Sequence, residues 1–194
     1  MSRTTYYTAT TLDGFIADEH HSLDWLLTQD VDPAGPMNHD EFVGEVGALV
    51  MGSATYQWLL DNHIATGGTW DYRQPTWVMT SRDLKVVDGA DVRFARGGVR
   101  PVHAEATAVA RGKDVWVVGG GDLAGQFADA GLLDAVVVSI APVTLGAGRP
   151  LLPRRLDLRL VEVARNRAFA CARYDVVGPP PFAALSGPGR GPAF

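Results

Sequence analysis

Between Val115 and Phe127 an apolar run, Val115-Trp116-Val117-Val118, breaks into Gly119-Gly120-Gly121 and restarts as Asp122-Leu123-Ala124-Gly125-Gln126-Phe127. Four apolar residues without polar alternation suit a strand buried on both faces, and Leu123 and Phe127, four apart, share one face of a following helix. Glycines at such a junction let a ligand approach the backbone with no Cβ in the way. A helix that starts there adds unpaired N–H groups and the positive end of its dipole. That chemistry suits an anion, a phosphate above all. The same residues equally suit a packed strand-to-helix turn with no ligand.

Two more strand ends carry comparable turns. Ala48-Leu49-Val50-Met51 runs into Gly52-Ser53-Ala54-Thr55, and Thr76-Trp77-Val78-Met79-Thr80 ends at Ser81-Arg82-Asp83. If the three strands are parallel neighbours, their carboxyl ends form one rim, and an extended dinucleotide would touch all three turns. Gly119-x-Gly121-x-x-Ala124 also fits the G-x-G-x-x-G/A fingerprint of a Rossmann dehydrogenase. That fingerprint calls for a ribose-binding carboxylate about 20 residues further on, where this chain has Ser139-Ile140-Ala141-Pro142. The Rossmann reading is therefore the weaker alternative.

Other chemistries find little support. His20 and His21 are adjacent, so a regular element would not aim both at one metal, and no cysteine or carboxylate cluster accompanies them. Cys171, the single cysteine, excludes an internal disulfide and a multi-cysteine zinc site; between Ala170 and Ala172 it reads as a small core residue. Ser139 and Ser186 lack the G-x-S-x-G elbow of a hydrolase.

The elements that must position the three turns follow from periodicity. A first strand is expected over Thr4 to Thr11, a turn at Leu12-Asp13-Gly14, and a short run Phe15-Ile16-Ala17. Asn38-His39-Asp40-Glu41 resembles a capping box opening a helix in which Phe42 and Val46 share a face before Gly47. Tyr56, Leu59 and Leu60 mark a second helix, Asp61 to Gln74 reads as irregular, and Val92 to Phe94 as a short strand. A helix is expected from His103 to Arg111, stopped by Gly112, and another after the triple glycine, stopped at Gly131. Ala135 to Ile140 is a further buried strand, and the alternation around Arg165-Asn166-Arg167 suits an antiparallel hairpin. The expected architecture is one domain over residues 1–177, a mixed and mostly parallel sheet with helices on both faces, followed by a Pro/Gly-rich tail from 178 to 194.

Composition agrees with a soluble globular protein. The 194 residues are 46% hydrophobic and 20% charged, with a formal net charge of −5 and no basic stripe. Nucleic acid and anionic membranes are poor partners for such a surface, and a small molecule is the expected ligand. No apolar run reaches the roughly 20 residues of a membrane helix, and the N-terminus lacks a secretory plan, so a cytoplasmic location is expected.

Taken in order, several of these segments resemble the dihydrofolate reductase superfamily, and within it the reductase domain of riboflavin biosynthesis. Leu12-Asp13-Gly14-Phe15-Ile16-Ala17 is similar to the first-strand motif and active-site loop, and Met51-Gly52-Ser53-Ala54-Thr55-Tyr56 to the family's Met-Gly-Arg-x-Thr-Tyr. Val118 to Phe127 is similar to the pyrophosphate loop, and Ala130-Gly131-Leu132-Leu133-Asp134 with Ile140 to Gly146 to the riboflavin-reductase signature. The resemblance implies the dihydrofolate-reductase-like three-layer fold and NADPH bound across the strand ends. Val118, Gly120, Gly121, Asp122 and Leu123 would serve the pyrophosphate region, Gly52, Ser53, Thr55, Thr80, Ser81 and Arg82 the adenosine half, and Ala9 and Ile16 the nicotinamide. It implies hydride transfer to a planar heterocycle, a pterin or a ribosylamino-pyrimidine, with placement of the nicotinamide as the protein's main task.

The chain departs from the family in two places. Ser53 stands where the family has a phosphate-binding arginine, so Arg82 is the candidate replacement cation, and NADH is an alternative to NADPH. The acid that dihydrofolate reductases carry on their first helix has Asp40 as its candidate here, with Trp25 as a residue that could flank the substrate. A non-catalytic nucleotide-binding homologue is the second functional reading. A homodimer is also expected, because relatives of this kind often pair and the hairpin and tail offer a surface for it.

Overall fold

The computed structural model describes residues 2–178. The expected tail lies outside them except for Gly178, which closes the last strand.

Eight strands form one sheet in the order β5-β4-β3-β6-β1-β7-β10-β9. Its parallel part comprises β1 (Thr4–Thr11), β3 (Val46–Gly52), β4 (Thr76–Met79), β5 (Val92–Ala95), β6 (Asp114–Gly119) and β7 (Ala135–Ala141). The hairpin of β9 (Asp157–Asn166) and β10 (Phe169–Gly178) then joins β7 antiparallel, turning at Arg167 in a left-handed conformation with φ 48°. The mixed, mostly parallel sheet and its closing hairpin are as expected. A two-stranded ribbon of β2 (Phe15–Ala17) and β8 (Arg149–Pro150) was not anticipated.

Helices cover both faces. On one side α4 (Val99–Ala110) and α5 (Gly121–Asp129) pack on Tyr6, Val50, Val115, Val117, Val136 and Val138. Side chains buried this completely, such as Phe127 and Val117 at 0% exposure, supply the main apolar stabilisation, about 1.5–3 kcal/mol each. On the other side α2 (His39–Gly44) and α3 (Ser53–Leu59) cover Leu49, Met51, Val78 and Trp116, with Tyr7 and Phe42 stacked at 4.3 Å. A four-residue helix, α1 (Asp24–Leu27), lies near the β7–β10 end. The contact between α4 and β3 is close: a Cβ on Gly47 would lie 2.5 Å from the Ala110 carbonyl oxygen, so only glycine fits. Among the described residues no helix is long and apolar enough to cross a membrane.

Three boundaries differ from expectation. Val46 opens β3 instead of continuing α2, because the helix ends at Gly44 and Val46 reaches the same apolar cluster as Phe42 from a strand. The fourth helix starts at Val99, not His103; Pro101 falls in its first turn, where a missing N–H costs no helical bond. The segment after α3 begins as a π-helical turn, Leu60–Ile64.

His103 projects from α4 to the start of β1, 2.9 Å from Thr4 Oγ1, with its ring edge-on to Phe127. Burial outweighs the attraction of Asp134 and pulls its pKa below the ordinary value. The folded state therefore prefers the neutral ring. The stabilisation is complete above the unfolded pKa of about 6.5 and is lost as pH falls towards the folded value. Urea titrations should show stability declining below about pH 6.5 in the native chain and a flatter profile in His103→Gln; equal slopes would remove His103 as the cause.

Candidate functional site

Four adjacent parallel strands, β5, β4, β3 and β6, end at one cleft of about 450 Å³, lined by Gly52 and Ser53, Thr80 and Ser81, Arg96 and Gly97, and Gly120, Asp122 and Leu123. The three turns singled out in the sequence thus lie along one rim, where ligands of open α/β sheets bind. Local chain geometry is tight at Gly119 and ordinary at Gly52. A Cβ on Gly52 would sit 3.5 Å from the Gly119 carbonyl oxygen, and one on Gly119 would lie 3.0 Å from Thr55 Oγ1. The ends of β3 and β6 are therefore in near contact, and the peptide between Gly119 and Gly120 is cis. Gly120 caps α5 without a side-chain bond, and the first intrahelical bond runs from the Ala124 N–H to the Gly120 carbonyl. The N–H groups of Gly121, Asp122 and Leu123 have no acceptor within the helix and can serve an anion.

The cleft continues past β6. A more apolar space of about 370 Å³ shares Ala54, Gly120 and Asp122 with the first and adds Thr8, Ile16, Thr55, Trp58 and Val118. Ile16 reaches over the glycines, its Cδ1 lying 3.8 Å from a Cβ placed on Gly120. The β2–β8 ribbon thus forms a roof. It is fastened at the Leu12-Asp13-Gly14 turn, where Asp13 Oδ2 accepts from the backbone N–H groups of Leu145 and Gly146 at 3.0 and 2.7 Å, and Gly14 O accepts from Leu151 N–H at 2.8 Å. The Thr11 hydroxyl and these N–H groups hold the Asp13 carboxyl below its ordinary pKa. Next to this space lies an open trough of about 640 Å³ between the His20–Leu27 segment and α3, sharing His21, Leu23, Ala54 and Trp58 with it. Arg149 Nη2 donates to His21 Nε2 at 3.0 Å, so this imidazole nitrogen is an acceptor.

The remaining sequence candidates fall elsewhere. Ala9 projects from β1 on the face opposite Thr8 and packs beside Trp25, Ala141, Phe169 and Cys171, so Thr8 is the β1 side chain that lines the cleft. Trp25 is 8% exposed in that cluster, and its indole N–H has no partner in the structure. Asp40 stands on the outer side of α2 with a 91% exposed side chain, 3.5 Å from His39, and the structure does not bring it to the cleft. Arg82 turns away from the rim: its Nη2 donates to Ser53 O at 3.1 Å and it lines the trough. The cation in the adenosine-side cleft is Arg96, which sequence reasoning missed. The signal was present, since Ala95-Arg96-Gly97-Gly98 is a fourth strand–glycine–helix junction.

This sheet order, closed by an antiparallel hairpin and cleft at the carboxyl ends of its parallel strands, defines a dihydrofolate-reductase-like α/β protein. The family is narrower: a model of the RibD C-terminal domain matches residues 4–171, and the chain belongs to that family. The uncharacterized Bacillus subtilis (strain 168) protein YwjB is 27% identical over 150 residues, covering 77% of this chain and 82% of its own. Among solved structures, a Shewanella sp. PV-4 protein named for riboflavin biosynthesis superposes with a TM-score of 0.75 at 24% identity, over 90% of this chain and 98% of the other. Enterococcus faecalis dihydrofolate reductase complexed with NADP(H) superposes with a TM-score of 0.54 at 14% identity, over 90% and 96% of the two chains. The fold is thus one that reductases use.

Proposed function

We propose that the chain is an NADPH-dependent reductase that passes a hydride to a planar heterocycle of the pterin or ribosylamino-pyrimidine kind. The observation that carries this reading is the single cleft at four parallel strand ends, with glycine turns and free N–H groups at its centre and an apolar space beyond them. The Enterococcus faecalis reductase, with the same fold, was solved with NADP(H). Gly120 to Leu123 would hold the pyrophosphate, Ser53, Thr80, Ser81 and Arg96 the adenosine half, and Ile16, Thr55 and Val118 the nicotinamide. The bound dinucleotide would supply the hydride. The protein would position it and exclude water, with Ile16 and the ribbon as cover. The acceptor would enter from the trough, between Leu23 and the Trp58 indole.

Arg96 would take the role of the family arginine that Ser53 replaces, as a charged fork facing a 2′-phosphate. Among the described residues its ion-pair partner is Asp83 at 3.2 Å, a solvent-exposed contact that does not compete strongly for the guanidinium.

The test is titration calorimetry with NADPH, followed by stopped-flow oxidation of the bound cofactor against dihydrofolate, dihydrobiopterin and a ribosylaminouracil. A native chain at 100 times Kd in NADPH should gain about 2.7 kcal/mol of stability, and one acceptor should oxidise the cofactor. The position of Asp40 outside the cleft favours a second reading, a nucleotide-binding homologue without turnover. Tight NADPH binding with no oxidation by any acceptor selects that reading, and absence of binding removes both.

A further inference from the structure

We infer that Arg154 is a positioning residue for the cofactor: it neutralises the Asp122 carboxylate at the centre of the cleft, so that two phosphates can lie beside it. This inference rests on the dinucleotide reading above. Asp122 lines both halves of the cleft, so its charge faces any pyrophosphate held between them. An uncompensated carboxylate there would repel the ligand that the neighbouring N–H groups attract.

The structure shows how that charge is held. Arg154 Nη2 donates to Asp122 Oδ1 at 2.9 Å, Gln126 Nε2 donates to Asp122 Oδ2 at 2.9 Å, and Arg154 Nε donates to Asp129 Oδ2 at 2.7 Å. One guanidinium therefore bridges the carboxylates of two α5 residues, Asp122 in its first turn and Asp129 at its end. The surface of α5 is shaped for it: a Cβ on Gly125 would meet Arg154 Cγ at 2.8 Å and its guanidinium at 3.2 Å. The same strap of chain lies against the start of the helix, where a Cβ on Gly121 would meet the Pro150 carbonyl oxygen. Two glycines of the triple-glycine unit and its helix thus serve the strap rather than the ligand. Gln126 first, and Arg154 with it, hold the Asp122 carboxyl below its ordinary pKa, so it is ionised at neutral pH.

Without Arg154, Asp122 would present unbalanced charge beside the phosphates. At the separations and effective dielectric of a partly solvated cleft, this repulsion amounts to roughly tenfold in affinity. A merely structural strap would behave differently, since its loss could not be repaired by removing a negative charge elsewhere.

The experiment is calorimetric titration of the full chain with NADPH and with ADP-ribose, comparing native protein, Arg154→Met, Arg154→Lys and the double variant Arg154→Met with Asp122→Asn, each first checked for a cooperative thermal transition. Arg154→Met should bind both ligands roughly tenfold more weakly, with the deficit widening at low salt. Arg154→Lys should keep most of the affinity, and the double variant should regain most of it. Equal affinity in Arg154→Met, or an equal loss in the single and double variants, overturns the inference and leaves the reductase reading intact. A native chain that binds neither ligand overturns both.

Discussion

Gly121→Ala is expected to lower the unfolding free energy by about 1–3 kcal/mol and to abolish the stabilisation by NADPH. A Cβ there would lie 2.2 Å from the Pro150 carbonyl oxygen and 2.4 Å from that of Leu151, distances that no rotamer change relieves because both obstacles are backbone. The strap must move off α5 or the helix must shift in the cleft. Either displaces the N–H groups proposed to hold the pyrophosphate. Urea denaturation with and without cofactor measures both effects. A variant as stable as the native chain and equally protected by NADPH would show that the close contact is dispensable. Gly44→Ala, at the end of α2 and outside the cleft, is the natural control, because a Cβ there meets nothing within 4 Å.

Arg96→Gln should weaken NADPH binding by about 10- to 100-fold, the range of one charge-assisted hydrogen bond, while changing NADH binding little. Only the 2′-phosphate distinguishes the two ligands, so the ratio of their dissociation constants isolates the interaction. Gln keeps much of the length and polarity of the side chain, so a loss reports charge rather than packing. Arg82→Gln should leave the ratio unchanged, since that guanidinium is spent on Ser53 O and faces the trough. The reverse pattern would place the phosphate on the α3 side of the rim and refute the role given to Arg96.

Much of the scaffold was legible because parallel strands buried on both faces leave an unmistakable record. Val115 to Val118 and Ala135 to Val138 are continuous apolar runs, and both lie in central strands. The glycine and hydroxyl turns after them marked the rim. Parity was harder: Thr8-Ala9-Thr10-Thr11 offers no hydrophobic contrast, so the face that meets the cleft could not be read, and it is Thr8 that does so. Val46 misled because an i, i+4 relation to Phe42 and a shared apolar cluster look alike in one dimension. Contacts made by loops distant in sequence left no local trace. Neither the two-residue strand Arg149–Pro150 nor the pairing of Arg154 with Asp122 has any periodic signature.

The placement of β1 has a consequence for biosynthesis. Thr4 pairs with Val115 on one side, and Thr5 with Ala135 on the other. Of the sheet's parallel strands, the one synthesised earliest is therefore the one whose two neighbours emerge last. Until they do, both its edges are open, and such non-local closure is slow and prone to wrong partners. A chain cut short before residue 135 would leave an unsealed strand at its centre, an open invitation to chaperones and to other nascent chains.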